Sequence, residues 1–402
     1  MAILNPPENI ARTLRSLIDE GYAAYLVGGC VRDAVLGRHV NDWDVATSAT
    51  PVEVARLFPK TVLTGEKFGT VTVLLDGSAV EVTTFRAEME YSDRRHPESV
   101  EFISSIEEDL GRRDFTINAM AVSVTGDLID PFDGLGDIRN RLVRCVGGPN
   151  TRFSEDALRM FRAFRFSAQL GFMIENETML AIYANAEKAK HLSAERVCLE
   201  LEKTIMTHSP EIAGDMIKIG LLGRFELSTG KSPVGIENIT RLPMETTLRW
   251  CAFCAVLLEN GLITSVTEFL RDMRLDGKKI KTCARALSIP DFPDGNTGIK
   301  RLFALHGVEA IRCAAAALDT LAAARGDEPP HRLARVNEIV AAGECFSLDK
   351  LAVTGSDLLA QGHPPGRDLG ATLDKLLDHV LEHPQANTRE ILLKLAVVNC
   401  NE

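Results

Sequence analysis

No apolar run in this chain of 402 residues approaches the length of a membrane span, and no signal-peptide pattern opens it. The expectation is a cytoplasmic protein with no membrane partner. Nine cysteines are scattered without a regular framework, which speaks against a disulfide-stapled secreted fold and for a reducing compartment. Cys251 and Cys254 form the only C-x-x-C, in RWCAFCAVLL, with no second pair and no nearby histidine. They read as buried helix residues rather than zinc ligands. His379 and His383, four apart, have no Glu after the first and no third ligand, and read as surface residues. Internal repeats and heptad runs are missing too. Cation excess is also lacking: the net charge is −11, which counts against uniform affinity for a phosphate backbone. The arginines are unevenly spread, however. Arg139, Arg141, Arg144, Arg152, Arg159, Arg162 and Arg165 crowd one stretch and allow a local basic channel.

What is present is an ordinary globular composition, 45% apolar and 25% charged, on a chain long enough for two to four domains. Residues 8–20 have helical spacing of Ile10, Leu14, Leu17 and Ile18. The organising stretch follows: a short apolar strand (Tyr25-Leu26-Val27), a Gly28-Gly29 turn, a helix with Arg32 and Asp33, and a strand holding Asp42 and Asp44. Paired glycines let a backbone come close to a ligand, and bare N–H groups at a helix start receive phosphate. Residues two apart on a strand project to the same side, so Asp42 and Asp44 can share divalent cations. Each half alone has a plain reading, a turn or a solvated strand end. The spacing is not the dinucleotide fingerprint, since Gly28-Gly29-Cys30 lacks G-x-G-x-x-G.

Thr50 and Pro51 predict a capped helix, and two β-rich runs around Asp76-Gly77 predict a hairpin. Antiparallel pairing beside the Asp42/Asp44 strand would bring Glu81 up as a third carboxylate; a solvated strand face is the alternative. Residues 86–100 read as a mobile loop, and Asp130 to Gly134 as a turn. In FSEDALRMFRAFRFSAQLGF, Ser154 reads as the N-cap of one helix, with Asp156, Arg159, Arg162 and Arg165 stepping by threes along it. A salt-bridged surface row is the bland reading. The sharper one is base selection. Asp156 accepts hydrogen bonds and Arg159 donates them, which suits the amine and ring nitrogen of cytosine or adenine. Uracil and guanine would set acceptor against acceptor, at about 1–3 kcal/mol for each buried mismatch.

GG-x-VRD-x-x-LG followed by D-x-D resembles the nucleotidyltransferase head of the class II tRNA nucleotidyltransferase and bacterial poly(A) polymerase family. RRDFTINAMA resembles its second motif, the Asp130–Gly134 turn its third, EDALR its base-selecting E-D-x-x-R, and AERVCLELEKTI its buttressing neck helix. The tail around Gly355-Ser356-Asp357-Leu358-Leu359 is similar to Gram-positive-type CCA-adding enzymes. The resemblance implies an α+β fold, a mixed-sheet head followed by all-α neck, body and tail. The implied domains are a catalytic head over 1–138, a neck with the selecting helix over 139–209, a body over 210–340 and a tRNA-binding tail over 341–402.

The implied activity is template-independent addition of C, C and A to tRNA from CTP and ATP. By the resemblance, Asp42 and Asp44 hold Mg²⁺ with Glu81 as a further active-site carboxylate, and Gly29 and Arg32 bind triphosphate. Arg113 contacts the nucleotide and Asp114 the ribose, Asp156 and Arg159 select the base, and Arg162 and Arg165 continue towards phosphates. The intact YSDRRHPESVEF segment favours the complete activity over CC addition alone, and the family's His-Asp phosphohydrolase pattern is missing. An A-only adder, a poly(A) polymerase, a non-catalytic RNA-binding protein and a head that modifies a protein or small molecule remain as alternatives. No obligate protein partner is evident, and a homodimer stays open.

Overall fold

The computed structural model describes residues 4–65, 69–75, 77–88, 100–227, 230–328 and 330–398. The chain gathers into two units. One is Met1–Thr204 with Asp215–Gly230, the other Ile205–Gly214 with Lys231–Glu402.

In the first unit, α1 (Glu8–Asp19) buries Ile10, Leu14 and Leu17, the face its spacing predicts. β1 (Ala24–Val27) runs through Gly28, at φ 77°, into α2 (Gly29–Val35). β2 (Asp44–Thr47) leads to α3 (Pro51–Leu57), where Thr50 and Glu53 form a reciprocal capping box. β3 (Thr61–Gly65), β4 (Thr70–Leu75) and β5 (Ser78–Thr84) follow, with Leu75 opposite Ser78 at the hairpin end. Asp76 of the expected turn lies outside the described residues. β6 (Arg86–Glu88) and β7 (Val100–Phe102) pair as a separate ribbon; residues 89–99, most of the expected loop, lie outside the described residues. Ser105 caps α4 (Ile106–Gly111). β8 (Ala121–Val122) and β9 (Leu128–Ile129) precede α5 (Gly134–Asn140), whose first N–H groups are taken by Asp130.

The main sheet has the order β3-β4-β5-β2-β1-β8-β9. β1 and β2 are antiparallel, so the end of one and the start of the other meet at one rim, Val27 opposite Asp44. Two expectations are corrected here. β2 pairs with β5 in parallel, not antiparallel, placing Asp44 in register with Glu81. Asp42 precedes the strand rather than lying on it. Val27, Ala46, Phe85, Leu110 and Ala121 form the core behind this rim.

The helical continuation holds β10 (Leu142–Val143), α6 (Pro149–Glu155), α7 (Leu158–Leu170), β11 (Met173–Ile174), α8 (Asn176–Asn185), α9 (Ala194–Ile205) and α10 (Ile212–Ile219). The expected single helix from Ser154 is two. Asp156 is extended at φ −145°, ψ 105° and ends α6, while its Oδ1 accepts the Leu158 N–H at the start of α7. Ser154 is no cap; it lies in α6 and donates back to the Asn150 carbonyl.

The second unit is helical throughout its described residues: α11 (Thr246–Glu259), α12 (Val266–Asp272), α13 (Gly277–Leu287), α14 (Asn296–His306), α15 (Val308–Ala324), α16 (Arg332–Ala341), α17 (Gly355–Ala360), α18 (Arg367–Glu382) and α19 (Arg389–Val398). α11 is buried on all sides from Leu248 to Leu257, as expected of a central helix apolar all round. Its Arg249 is fully buried and donates to the carbonyls of Ile205, Thr207, Leu242 and Pro243. The fold is α+β.

Candidate active site

A cleft of about 720 Å³ opens beside the rim where β1 and β2 meet. Gly29, Arg32, Asp42, Asp44, Arg113, Asp114, Asp156, Arg159, Arg162 and Arg165 all line it. Among the site residues expected from sequence, Glu81 alone is absent from the lining. It sits on β5 as the register partner of Asp44, with an exposed side chain.

Gly28 decides how closely the walls approach. A Cβ there would stand 2.8 Å from Arg113 Nη1 and 3.8 Å from Asp44 Oδ2, so a side chain would push the Arg113 guanidinium aside, and the positive φ itself favours glycine. Asp44 titrates above the usual carboxylate range. Burial is the main cause, the Arg113 guanidinium opposes it, and Glu81 and Asp42 add to it. The oxygens of this carboxylate pair suit a hard divalent cation. Asp42 and Asp44 fit that role. Among the described residues no group of three or more ligand-type side chains forms a complete protein cage, so substrate or water oxygens would finish the shell.

The opposite wall is a network of arginines. Arg32 is buried, with Nε and Nη2 on Asp33 and Nη1 donating to Asn118 Oδ1 at 2.6 Å. Asn118 passes its own amide to Asp114 Oδ1 at 3.1 Å. Asp114 also takes Arg162 Nε at 2.7 Å and the Phe115 N–H at 2.8 Å. Burial alone would raise Asp114; Arg162 and the hydrogen bonds outweigh it and hold the carboxyl at about 2. Phe166 is the platform under three of these cations, with Arg165 4.1 Å, Arg32 5.2 Å and Arg162 5.4 Å from its ring centre.

At the far end, Asp156 Oδ2 accepts from Arg196 Nη2 at 2.7 Å. Arg159 donates to Glu155 at 2.6 Å and to the Arg112 carbonyl at 3.1 Å. The row stepping by threes is therefore not one exposed face. Asp156 lies at the break between α6 and α7, and the three arginines after it turn towards three different acids: Glu155, Asp114 and Glu200. The arginine-rich stretch divides as well. Arg159, Arg162 and Arg165 face the cleft, whereas Arg141 bonds the Gly171 carbonyl and Arg144 pairs with Asp137.

The profile described as "Poly A polymerase head domain" matches residues 24–144. "Probable RNA and SrmB- binding site of polymerase A" matches 171–225, and a profile for tRNA nucleotidyltransferase domain 2 matches 244–396. The CCA-adding enzyme of Geobacillus kaustophilus is 38% identical over 405 residues, covering 96% of each chain. That of Limosilactobacillus fermentum is 36% identical, again over 96% of each. The chain belongs to the CCA-adding enzyme family. A solved structure of the Bacillus stearothermophilus CCA-adding enzyme in complex with CTP superposes with a TM-score of 0.79 at 33% identity, over 99% of this chain and 98% of that one. A Thermotoga maritima CCA-adding enzyme complexed with tRNA shares the fold, with a TM-score of 0.64 at 21% identity.

Sequence patterns do not single out Asn118, Phe166, Arg196 and Glu200, which support the cleft in this chain. Arg196 and Glu200 lie four apart on α9, one paired with Asp156 and the other with Arg165. The i, i+4 spacing was a visible signal; the partners, some forty residues away, were not. Outside the cleft, Cys251 and Cys254 are buried helix residues. Tertiary packing adds what spacing concealed, since the Cys251 thiol hydrogen-bonds with Cys283 and Cys313.

Proposed function

We propose that this chain adds C, C and A to the 3′ end of tRNA, using CTP and ATP and no nucleic-acid template. The observation that carries the reading is the meeting of three features in one cleft: a carboxylate pair, an arginine wall and the Asp156/Arg159 pair. Full-length likeness to CCA-adding enzymes supports it. In the transfer, the tRNA 3′ oxygen bonds to the α-phosphorus of the nucleotide and pyrophosphate leaves. Mg²⁺, held by Asp42 and Asp44 with Glu81 adding charge beside them, would supply Lewis acidity at the reacting oxygens.

Gly29 and Arg32 would face the triphosphate. Arg113 would take one of its charges; its Nε is buried with no hydrogen-bond partner. Asp114, held ionised by Arg162, would address the ribose. A carboxylate has about four acceptor positions, so the bonds from Arg196 and Leu158 leave Asp156 able to take an exocyclic amine. Arg159 would donate to the adjacent ring nitrogen, and Arg162 and Arg165 would set the field towards the phosphates. The helical neck, body and tail, 139–209, 210–340 and 341–402, would grip tRNA by phosphates and shape. No described helix is long and apolar enough to cross a membrane; the cytoplasm is the proposed compartment.

The test is incorporation by purified protein with Mg²⁺ and each nucleotide in turn. Acceptors are tRNA lacking CCA, tRNA ending in CC, and oligoadenylate. Two Cs and one A, then a stop, establish the reading. Addition of A only to the CC-ended tRNA, or long A tails on any RNA, would replace it.

A further inference from the structure

Asp109 lies on the inner face of α4 and is 2% exposed. A carboxylate so buried needs donors, and its three come from three cleft-lining residues. Oδ1 accepts from the Arg86 backbone N–H at 3.3 Å and Arg112 Nε at 3.0 Å; Oδ2 accepts from Arg113 Nη2 at 3.3 Å. Asp109 itself does not line the cleft, whereas Arg86, Arg112 and Arg113 do.

Tying back one arm of a planar fork sets the aim of the other. Arg113 Nη1 then lies beside Gly28, 2.8 Å from where a Cβ would stand, with Asp44 Oδ2 3.8 Å from the same point. The same acid steadies Arg112, whose carbonyl receives Arg159. We propose that Asp109 is a positioning residue for nucleotide binding, acting through the direction it imposes on Arg113. This rests on the nucleotidyl-transfer reading above.

The experiment measures nucleotide and tRNA KM, kcat and melting temperature for wild type, D109N, D109E, R113A and D109N/R113A. D109N is expected to raise the KM for CTP and ATP about tenfold, with tRNA KM unchanged. In the R113A background D109N should add less than about threefold, because residues acting through one another are not additive. D109E keeps the charge but moves it by one methylene, and should raise nucleotide KM at normal melting temperature; it serves as well if D109N fails to fold. Penalties that multiply in the double variant, or unchanged nucleotide KM in D109E, overturn the proposal. An inactive wild type overturns the functional reading and this one together; an active wild type with multiplying penalties overturns this one alone.

Discussion

In the proposed transfer, Asp44 is the residue that sets function against stability. Burial first, then Glu81 and Asp42, push its titration up, against the pull of Arg113. An acid whose folded pKa is raised weakens the fold as pH climbs through its titration. Asp44→Asn should therefore raise the metal-free melting temperature at neutral pH while abolishing incorporation. A melting scan beside the incorporation assay checks both. Asp114 has the opposite sign. Held at about 2 by Arg162 and its hydrogen bonds, it contributes stability that is complete above the unfolded carboxylate pKa and lost as pH falls towards 2. Asp114→Asn is predicted to lower stability at neutral pH by about 2 kcal/mol and to flatten the acid-denaturation limb, as measured by urea melts from acid to neutral pH. Gly28→Ala combines a left-handed backbone, at φ 77°, with a Cβ pressed on Arg113. It should cost about 1–2 kcal/mol and weaken nucleotide binding, which calorimetric titration with CTP would read.

At the scale of elements, α9 holds α7 in place. Arg165 Nε lies 3.0 Å from Glu200 Oε2, an ion pair whose N–H is not aligned for a hydrogen bond, with Glu200 buried and Arg165 nearly so. Removing one partner leaves an uncompensated charge, so Glu200→Ala should cost about 3–5 kcal/mol in chemical denaturation. A loss under about 1 kcal/mol would mean that the Phe166 ring alone keeps Arg165 in place. The capped start of α3 was legible because its signal is local, a Thr followed by Pro at the first helical position. The α6–α7 break was not. Leu158, Phe161, Phe164 and Ala168 make a continuous helical face, and nothing local says that Asp156 turns its carboxylate to the Leu158 N–H instead of continuing the spiral.

For the whole molecule, the charge of −11 conceals a cleft lined by eight arginines and five aspartates. A local cation excess can engage phosphate whatever the net charge. The affinity for tRNA should fall at least about tenfold between roughly 50 and 200 mM salt, as three or more phosphate contacts require. Filter binding across that range tests it, and a flat response would reject a phosphate-based grip.

The sequence by itself determined the α+β class, the strand–glycine–helix rim, and ten of the residues that the cleft brings together. Some follow from spacing within one element; the α+β class and residues such as Arg113 and Asp114 follow from the family resemblance that short motifs carry. Tertiary structure decided which faces meet: the parallel pairing of Asp44 with Glu81, the bond of Arg196 to Asp156, the relay through Asn118, and the approach of Cys283 and Cys313 to Cys251. Periodicity tells which side chains share a face. Which other face lies opposite depends on packing between segments far apart in the chain, and no local pattern carries that information.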